Sequence, residues 1–286
     1  MTTHSPDVRP STCTGIVDAA RSILLSDDHA LPILPEVAVQ LMELTADIDC
    51  DPKDIVDLFK RDQSLTGHLL MTANSIRYNS GVMVTSMQQA VARLGLLRIR
   101  EIVMLISVQA KVFKVDGFEK DVRTSFEKSM TTAAFAQAIA RNRRLNVEDA
   151  FLCGLLHDVG RPVLLQALSD FRNDSDIDAA DDDILAATEE YRIPMASKLV
   201  LWWDLPERLA TIIQHQQTPA ETTEFDQQAA ILNLAIDLAN IALDPDTEMP
   251  DELSHPMIGV LNMYPDDVAK LLSLHTDILE WVRSAT

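Results

Sequence analysis

Apolar residues recur every three or four positions along most of this chain, the spacing that gathers them on one stripe of an α-helix, and polar punctuation cuts the pattern into short segments. After the turn-like stretch Pro32 to Pro35, Val37, Ala38, Leu41 and Leu44 form one such stripe. In "DCDPKDIVDLFKRD", Asp51 is placed to cap a helix and Pro52 to fill its first turn, where a missing N–H costs nothing, so that Ile55, Leu58 and Phe59 face inward. A third helix is expected over 63–74, burying Leu65, Leu69 and Leu70 and stopping at Asn74–Ser75. Ser86 and Gln89 match a capping box ahead of Met87, Ala90, Val91 and Leu94, Gly95 is placed to end that helix in a left-handed conformation, and a longer helix follows at about 97–112.

The turn-like "KVDGF" separates this group from a second. Over 121–144, Val122, Phe126, Met130, Ala133, Ala134 and Ala138 mark a well-packed helix. Asn146, with Asp149 at the third position, caps "VEDAFLCGLLHDV"; Gly160 is expected to end that helix and Pro162 to start the next. The polar run 169–183 reads as an exposed loop, and its start of a calcium-loop spacing fails at Ala179 and Leu185, where glycine and a bidentate glutamate are needed. Helices resume at about 184–203, 206–217 and 226–241. A final one carries Val268, Leu271, Leu272, His275, Leu279 and Val282 along one face.

Composition sharpens the picture. With 47% apolar but only 5% aromatic residues and eight glycines, the balance favours helices over an aromatic-rich sheet sandwich. Cys13, Cys50 and Cys153 are too scattered for a disulfide framework or closed zinc site, which points to reduced thiols in the cytoplasm. No signal-peptide core or membrane span is evident. A net charge of -20 argues against broad nucleic-acid binding. The charge is uneven, however. Residues 91–144 hold eleven Lys or Arg against five Asp or Glu, a basic middle that either binds an anion or neutralises its own protein.

The candidate chemistry lies in "FLCGLLHDVG", where His157 directly precedes Asp158 at the end of an apolar helix. Adjacent helical residues point about 100° apart, yet both can meet one ion at a helix end where several helices converge. A secure divalent site needs further ligands from those helices. Three readings stand: a buried hydrogen-bonded pair, a ligand or anion pocket, and a metal site. Asn74 and Ser75 read as a hydrogen-bonded helix end or as groove contacts, and Arg93, Arg98 and Arg100 as a paired face or as a phosphate-binding one.

The segments "LPILPEVAVQLMEL", "DPKDIVDLFKRDQSLTGHLLMTANS", "TSMQQAVARLGLLRIREIVM", "FLCGLLHDVGRPVL", "WWDLPERLATIIQHQ" and "ILNLAIDLA" resemble, in order, those of the HDOD family, signalling relatives of the HD-type metal-dependent phosphohydrolases. The resemblance implies an all-α, multi-helix HDOD-like fold over 31–240. An N-terminal helical lobe (about 31–115) packs on a degenerate HD-type lobe (about 121–240), with an extension at 1–30 and a C-terminal helical extension, 241–286, packed on the domain. It also implies a degenerate site. An active HD hydrolase adds an earlier histidine and a later aspartate to the doublet; here Lys128 stands at the earlier histidine's place, where it can ion-pair with Asp158 in the metal's stead. Ile193 stands at a later histidine's place and Ser197 at a glycine's. His215 matches the first of a histidine pair, Gln216 replaces the second, and Asn233 and Ile236 fall where histidine and aspartate often occur. The surviving polar set is His157, Asp158 and His215, with no metal or other cofactor expected.

The expected function is a catalytically inactive signal-transduction module that acts by contact with a signalling protein and can be gated by a small anionic ligand. One alternative is a phosphohydrolase of nucleotides or phosphate esters using Mn, Fe or Mg at His157 and Asp158. Another is a nonenzymatic nucleotide or anion sensor that uses the basic middle around Arg93 to Arg144, with Lys128 and Arg98 among its contacts.

Overall fold

Every described element of secondary structure is helical. The computed structural model describes residues 15–26, 36–46, 51–59, 63–74, 81, 83–112, 115–175, 177–222, 224–244, 246–247, 250 and 253–285, without the side chains at 46, 63–65, 68, 72, 97, 108–112 and 284–285. Ser75, Cys13, Cys50 and the Leu65 side chain lie outside that description.

The first helices follow their punctuation. Helix α1 is Ile16–Leu25, α2 Glu36–Ala46, α3 Pro52–Phe59, α4 Gln63–Ala73 and α5 Met87–Val112. Asp51 caps α3 by accepting from the Lys53 N–H at 2.9 Å. Ser86 Oγ accepts from Gln89 N at 3.2 Å, while the Gln89 side chain reaches back to Thr85 N. Gly95 breaks α5 at φ 73° and ψ 168°. The positive φ suits glycine, but the ψ is not that of the left-handed helical cap expected, so the chain kinks and continues.

The second group comprises α6 Glu119–Arg143, α7 Val147–Leu156, α8 Gly160–Ser175, α9 Asp181–Trp202, α10 Glu207–Gln214, α11 Asp226–Leu243, α12 Pro256–Val260, α13 Pro265–Ser273 and α14 His275–Ala285. Three expectations need correction. The polar run 169–183 is mostly helical: its acidic residues lie on the exposed end of α8 and in the first turn of α9, where Asp181, Asp182 and Asp183 complement the positive end of the helix dipole. The final helix is two, separated at Leu274, with Ile278 and Trp281 buried beside Val282. Gly160 opens α8 rather than ending α7.

Two apolar clusters form the core. The smaller joins α2, α3, α4 and α5 around Leu41, Ile55, Phe59 and Leu69. The larger spans α1 and α6 to α14, centred on residues such as Phe135, Phe151, Leu164 and Leu199. Helix α5 serves both: Ile99, Ile102 and Val103 belong to the first cluster, Met104 and Leu105 to the second. Polar contacts reinforce the same seam. Arg98 donates to Glu101 and to Gln137 of α6, and Arg100 pairs with Glu148 of α7 at 2.8 Å. No described helix is long and apolar enough to cross a membrane.

Candidate functional site

Helix α7 delivers the histidine–aspartate pair. Its N-terminus is fixed by Asn146 Oδ1, which accepts from the N–H groups of Glu148 (3.1 Å) and Asp149 (3.0 Å). The apolar residues that follow are buried against α6. Gly154 makes that packing possible, since a Cβ there would lie 2.5 Å from the Ala133 Cα. The helix stops at Leu156, His157 is its C-cap, and a tight turn starts α8 at Gly160. A Cβ on Gly160 would collide with the Arg192 carbonyl oxygen and lie 2.7 Å from Ala196 N, so this glycine lets α8 and α9 approach backbone to backbone.

That approach brings Arg192 onto Asp158, which is 2% exposed, beside Arg161 three residues further along the chain. Its Oδ1 accepts from Arg192 Nη1 at 3.0 Å, and its Oδ2 from Arg161 Nε at 2.9 Å and from Ser125 Oγ of α6 at 2.6 Å. The same arginines grip Glu189, through Arg192 Nε on Oε1 at 2.7 Å and Arg161 Nη2 on Oε2. The result is a closed ring in which each guanidinium bridges both carboxylates and each carboxylate uses both oxygens. Burial alone would raise the Asp158 pKa, but the cations, Arg161 foremost, and the Ser125 hydroxyl hold it below the ordinary value. Glu189 is likewise lowered by its arginines against the opposing effect of burial.

His157 is 1% exposed, and its Nδ1 lies 2.8 Å from the Gly154 carbonyl oxygen. A carbonyl only accepts, so Nδ1 carries the proton and Nε2 presents its lone pair. Burial, and then the charges of Lys128 and Arg192, push the His157 pKa down to about 4 despite the opposing pull of Asp158 and the Gly154 carbonyl. The ring is therefore neutral at pH 7. Nε2 is buried without a hydrogen-bond partner.

This histidine has the tautomer of a metal ligand, but the remaining donors do not fit a metal. Both oxygens of Asp158 are occupied by cations and a hydroxyl, and no group of three or more His, Cys, Asp or Glu among the described residues could hold an ion. A divalent cation would have to displace two guanidiniums and would gain only one carboxylate and one imidazole.

The other sequence candidates divide. Lys128 is half-buried, and burial lowers its pKa against the pull of Asp158. It forms no ion pair with Asp158; Arg161 and Arg192 hold that place, because their longer forks reach both carboxylates at once. His215 caps the end of α10 and bonds through Nδ1 to the Thr211 carbonyl, outside the ring. Gln216 is buried and donates to the carbonyls of His157 (3.2 Å) and Ile213 (3.0 Å), while Asn233 donates to the Gln216 carbonyl at 2.8 Å. Gln216 and Asn233 thus form a polar strut behind the doublet. Asn74 clamps the end of α4, donating to the Leu70 and Val84 carbonyls and accepting from Val84 N, each at 2.8 Å. Arg93 and Arg98 line a cleft elsewhere, with Arg98 bound to Glu101 and Gln137. Ser125, Arg161, Glu189 and Arg192 are missing from the sequence reading.

Comparison with known proteins places the fold. The HDOD-domain family model matches residues 31–219. An "Uncharacterized protein" of Treponema pallidum (strain Nichols) is 24% identical over 206 residues, covering 68% of this chain but 39% of that relative, so the chain spans well under half its length. Among solved structures, an HDOD domain protein of unknown function from Geobacter sulfurreducens has a TM-score of 0.70 at 22% identity, with 94% of this chain and 98% of that one covered. A Shewanella amazonensis SB2B protein named "Putative phosphohydrolase" has a TM-score of 0.67 at 22% identity, with coverage of 94% and 98%. A "Putative signal transduction protein" of Marinobacter aquaeolei VT8 has 0.64 at 21% identity, with coverage of 88% and 58%. At these identities the structures share the fold.

Proposed function

Because this chain belongs to the HDOD family, we propose that it is a regulatory, signal-transducing module that acts by contact with a protein partner and carries out no hydrolysis at His157–Asp158. The observation that carries this reading is the closed ring of Asp158, Glu189, Arg161 and Arg192. A hydrolase of this kind needs a cation to lower the pKa of a bound water and to offset charge at phosphorus. Here the aspartate that would hold such a cation is already neutralised by protein. The nearby Lys128 and Arg192 further disfavour a second positive ion. The reduced-thiol reading of its cysteines supports a cytoplasmic setting, where the buried Cys153 thiol is protected from reaction.

Elemental analysis of tag-free protein purified without chelator tests the proposal, with Asp158→Ala alongside. No stoichiometric Mn, Fe or Mg in either protein, and no turnover of nucleotides or model phosphodiesters, is the expected result. One or two ions per chain that disappear in the variant, together with hydrolysis that disappears with them, would establish the phosphohydrolase reading instead.

A further inference from the structure

We propose that the cleft between α5, α6 and α14 is a binding site for a small phosphorylated molecule that also carries N–H donors, as a nucleotide does. The cleft encloses about 640 Å³, within the range of small-molecule sites, and lies where the two apolar clusters meet the C-terminal helix. Its cationic wall is built by the kink at Gly95. Residues five apart on an unbroken helix point about 140° apart. With the chain broken at φ 73°, Arg93 before the kink and Arg98 after it line the same cleft. Space does not explain the glycine, since a Cβ at position 95 would touch nothing within 4 Å; the backbone conformation does.

Helix α6 supplies the floor. Ala134, Gln137, Ala138 and Arg141 follow one another at helical spacing, and the two alanines leave room for an occupant while Arg141 adds a third guanidinium. The opposite wall is α14, which carries Asp277 and Glu280. The walls therefore differ in sign. Guanidiniums match phosphate oxygens, and carboxylates match amino and imino hydrogens. The chain's net charge of -20 repels anions at long range, but at physiological salt that field is screened over roughly 8 Å, so the local arginines decide the encounter. Helix α14 lies beyond the family-matched region 31–219.

The test is calorimetric titration of the full chain with ATP, GTP and pyrophosphate. Arg93 and Arg141 are exposed, and an Arg93→Ala/Arg141→Ala double variant is melted beside the wild type so that binding is compared on folded protein. Saturable one-to-one nucleotide binding, weakened at least about tenfold in that variant and by added salt, is the expected result. Asp277→Asn/Glu280→Gln should weaken nucleotide binding and strengthen that of pyrophosphate, which has only negative charge to offer those carboxylates. No saturable binding of any probe at millimolar concentration overturns the ligand class, and nucleotide binding unchanged in the arginine variant overturns the location. Neither outcome bears on metal at His157–Asp158, so this inference and the preceding proposal fail separately.

Discussion

Replacing Arg192 with methionine removes one side of the ring while keeping most of the side-chain volume. Arg192 and Asp158 are 10% and 3% exposed at their side chains, so their 3.0 Å contact is a buried ion pair. Removing one partner of such a pair typically costs about 3–5 kcal/mol, because the other charge stays buried. Arg161 and Ser125 would still serve Asp158, which places the expected loss near the lower end, about 3 kcal/mol. The contact to Glu189, whose side chain is half exposed, adds no more than about 1 kcal/mol. Asp158→Ala should cost a similar amount by stranding the guanidiniums. In the double variant neither charge is left behind, so the two losses should overlap by more than about 1 kcal/mol. Urea unfolding at pH 7 followed by tryptophan fluorescence suits the measurement, since Trp202, Trp203 and Trp281 all lie in α9, its cap and α14. Single losses below about 1 kcal/mol, or losses that add within about 0.5 kcal/mol, would refute the idea that the ring stabilises this site.

Three further outcomes follow from the same geometry. The His157 pKa is lowered from 6.5 to about 4, so the unfolded chain binds the proton first; the stability associated with the neutral ring is complete above 6.5 and falls as pH drops through this window, by about 3 kcal/mol in total. His157→Gln should flatten that part of the stability–pH curve, and an unchanged slope between pH 6.5 and 4 would contradict it. Gly160→Ala should cost about 2–3 kcal/mol or more in chemical denaturation because α8 and α9 must separate, whereas Gly259→Ala, with open space around it, should be near neutral; equal effects would show that the close approach is unimportant. Gly95→Ala should cost about 1–3 kcal/mol from backbone conformation alone, and a neutral result in the same assay would deny the kink.

The residues legible in sequence were those whose roles are local. Asp51, Ser86 and Asn146 act on N–H groups two or three residues away, so their caps can be read from spacing. The doublet was legible for the same reason, lying at the end of a helix whose stripe is apolar. Arg161, three residues beyond Asp158, carries a comparable local signal. Arg192 and Glu189 carried none, since they reach the site only because Gly160 permits two backbones to meet. Helix α1 shows the opposite failure: Ile16, Ala19, Ala20 and Ile23 have helical spacing and are buried, but a ten-residue segment with no side-chain cap gives little to distinguish it from an extension. Its end is held from afar, by Lys198 of α9 donating to the carbonyls of Leu24 and Ser26.

The ring answers a physical requirement of the buried aspartate. A buried carboxylate such as Asp158 is costly unless a positive partner accompanies it. Two guanidiniums supply that charge and, unlike an ion, are tied to the chain: Arg161 to α8 and Arg192 to α9. The site thereby joins α6, α8 and α9 at the end of α7. At the other end of α7, Glu148 pairs with Arg100 of α5, and Asp149 is gripped by Arg208 of α10 at 2.7 and 3.0 Å. Helix α7 is thus anchored to the first apolar cluster at its start and to the ring at its finish. A partner that binds against either end can bias the whole seam only if it prefers one arrangement of these helices, which makes the preference, rather than any bond broken in a substrate, the quantity that a signalling role requires.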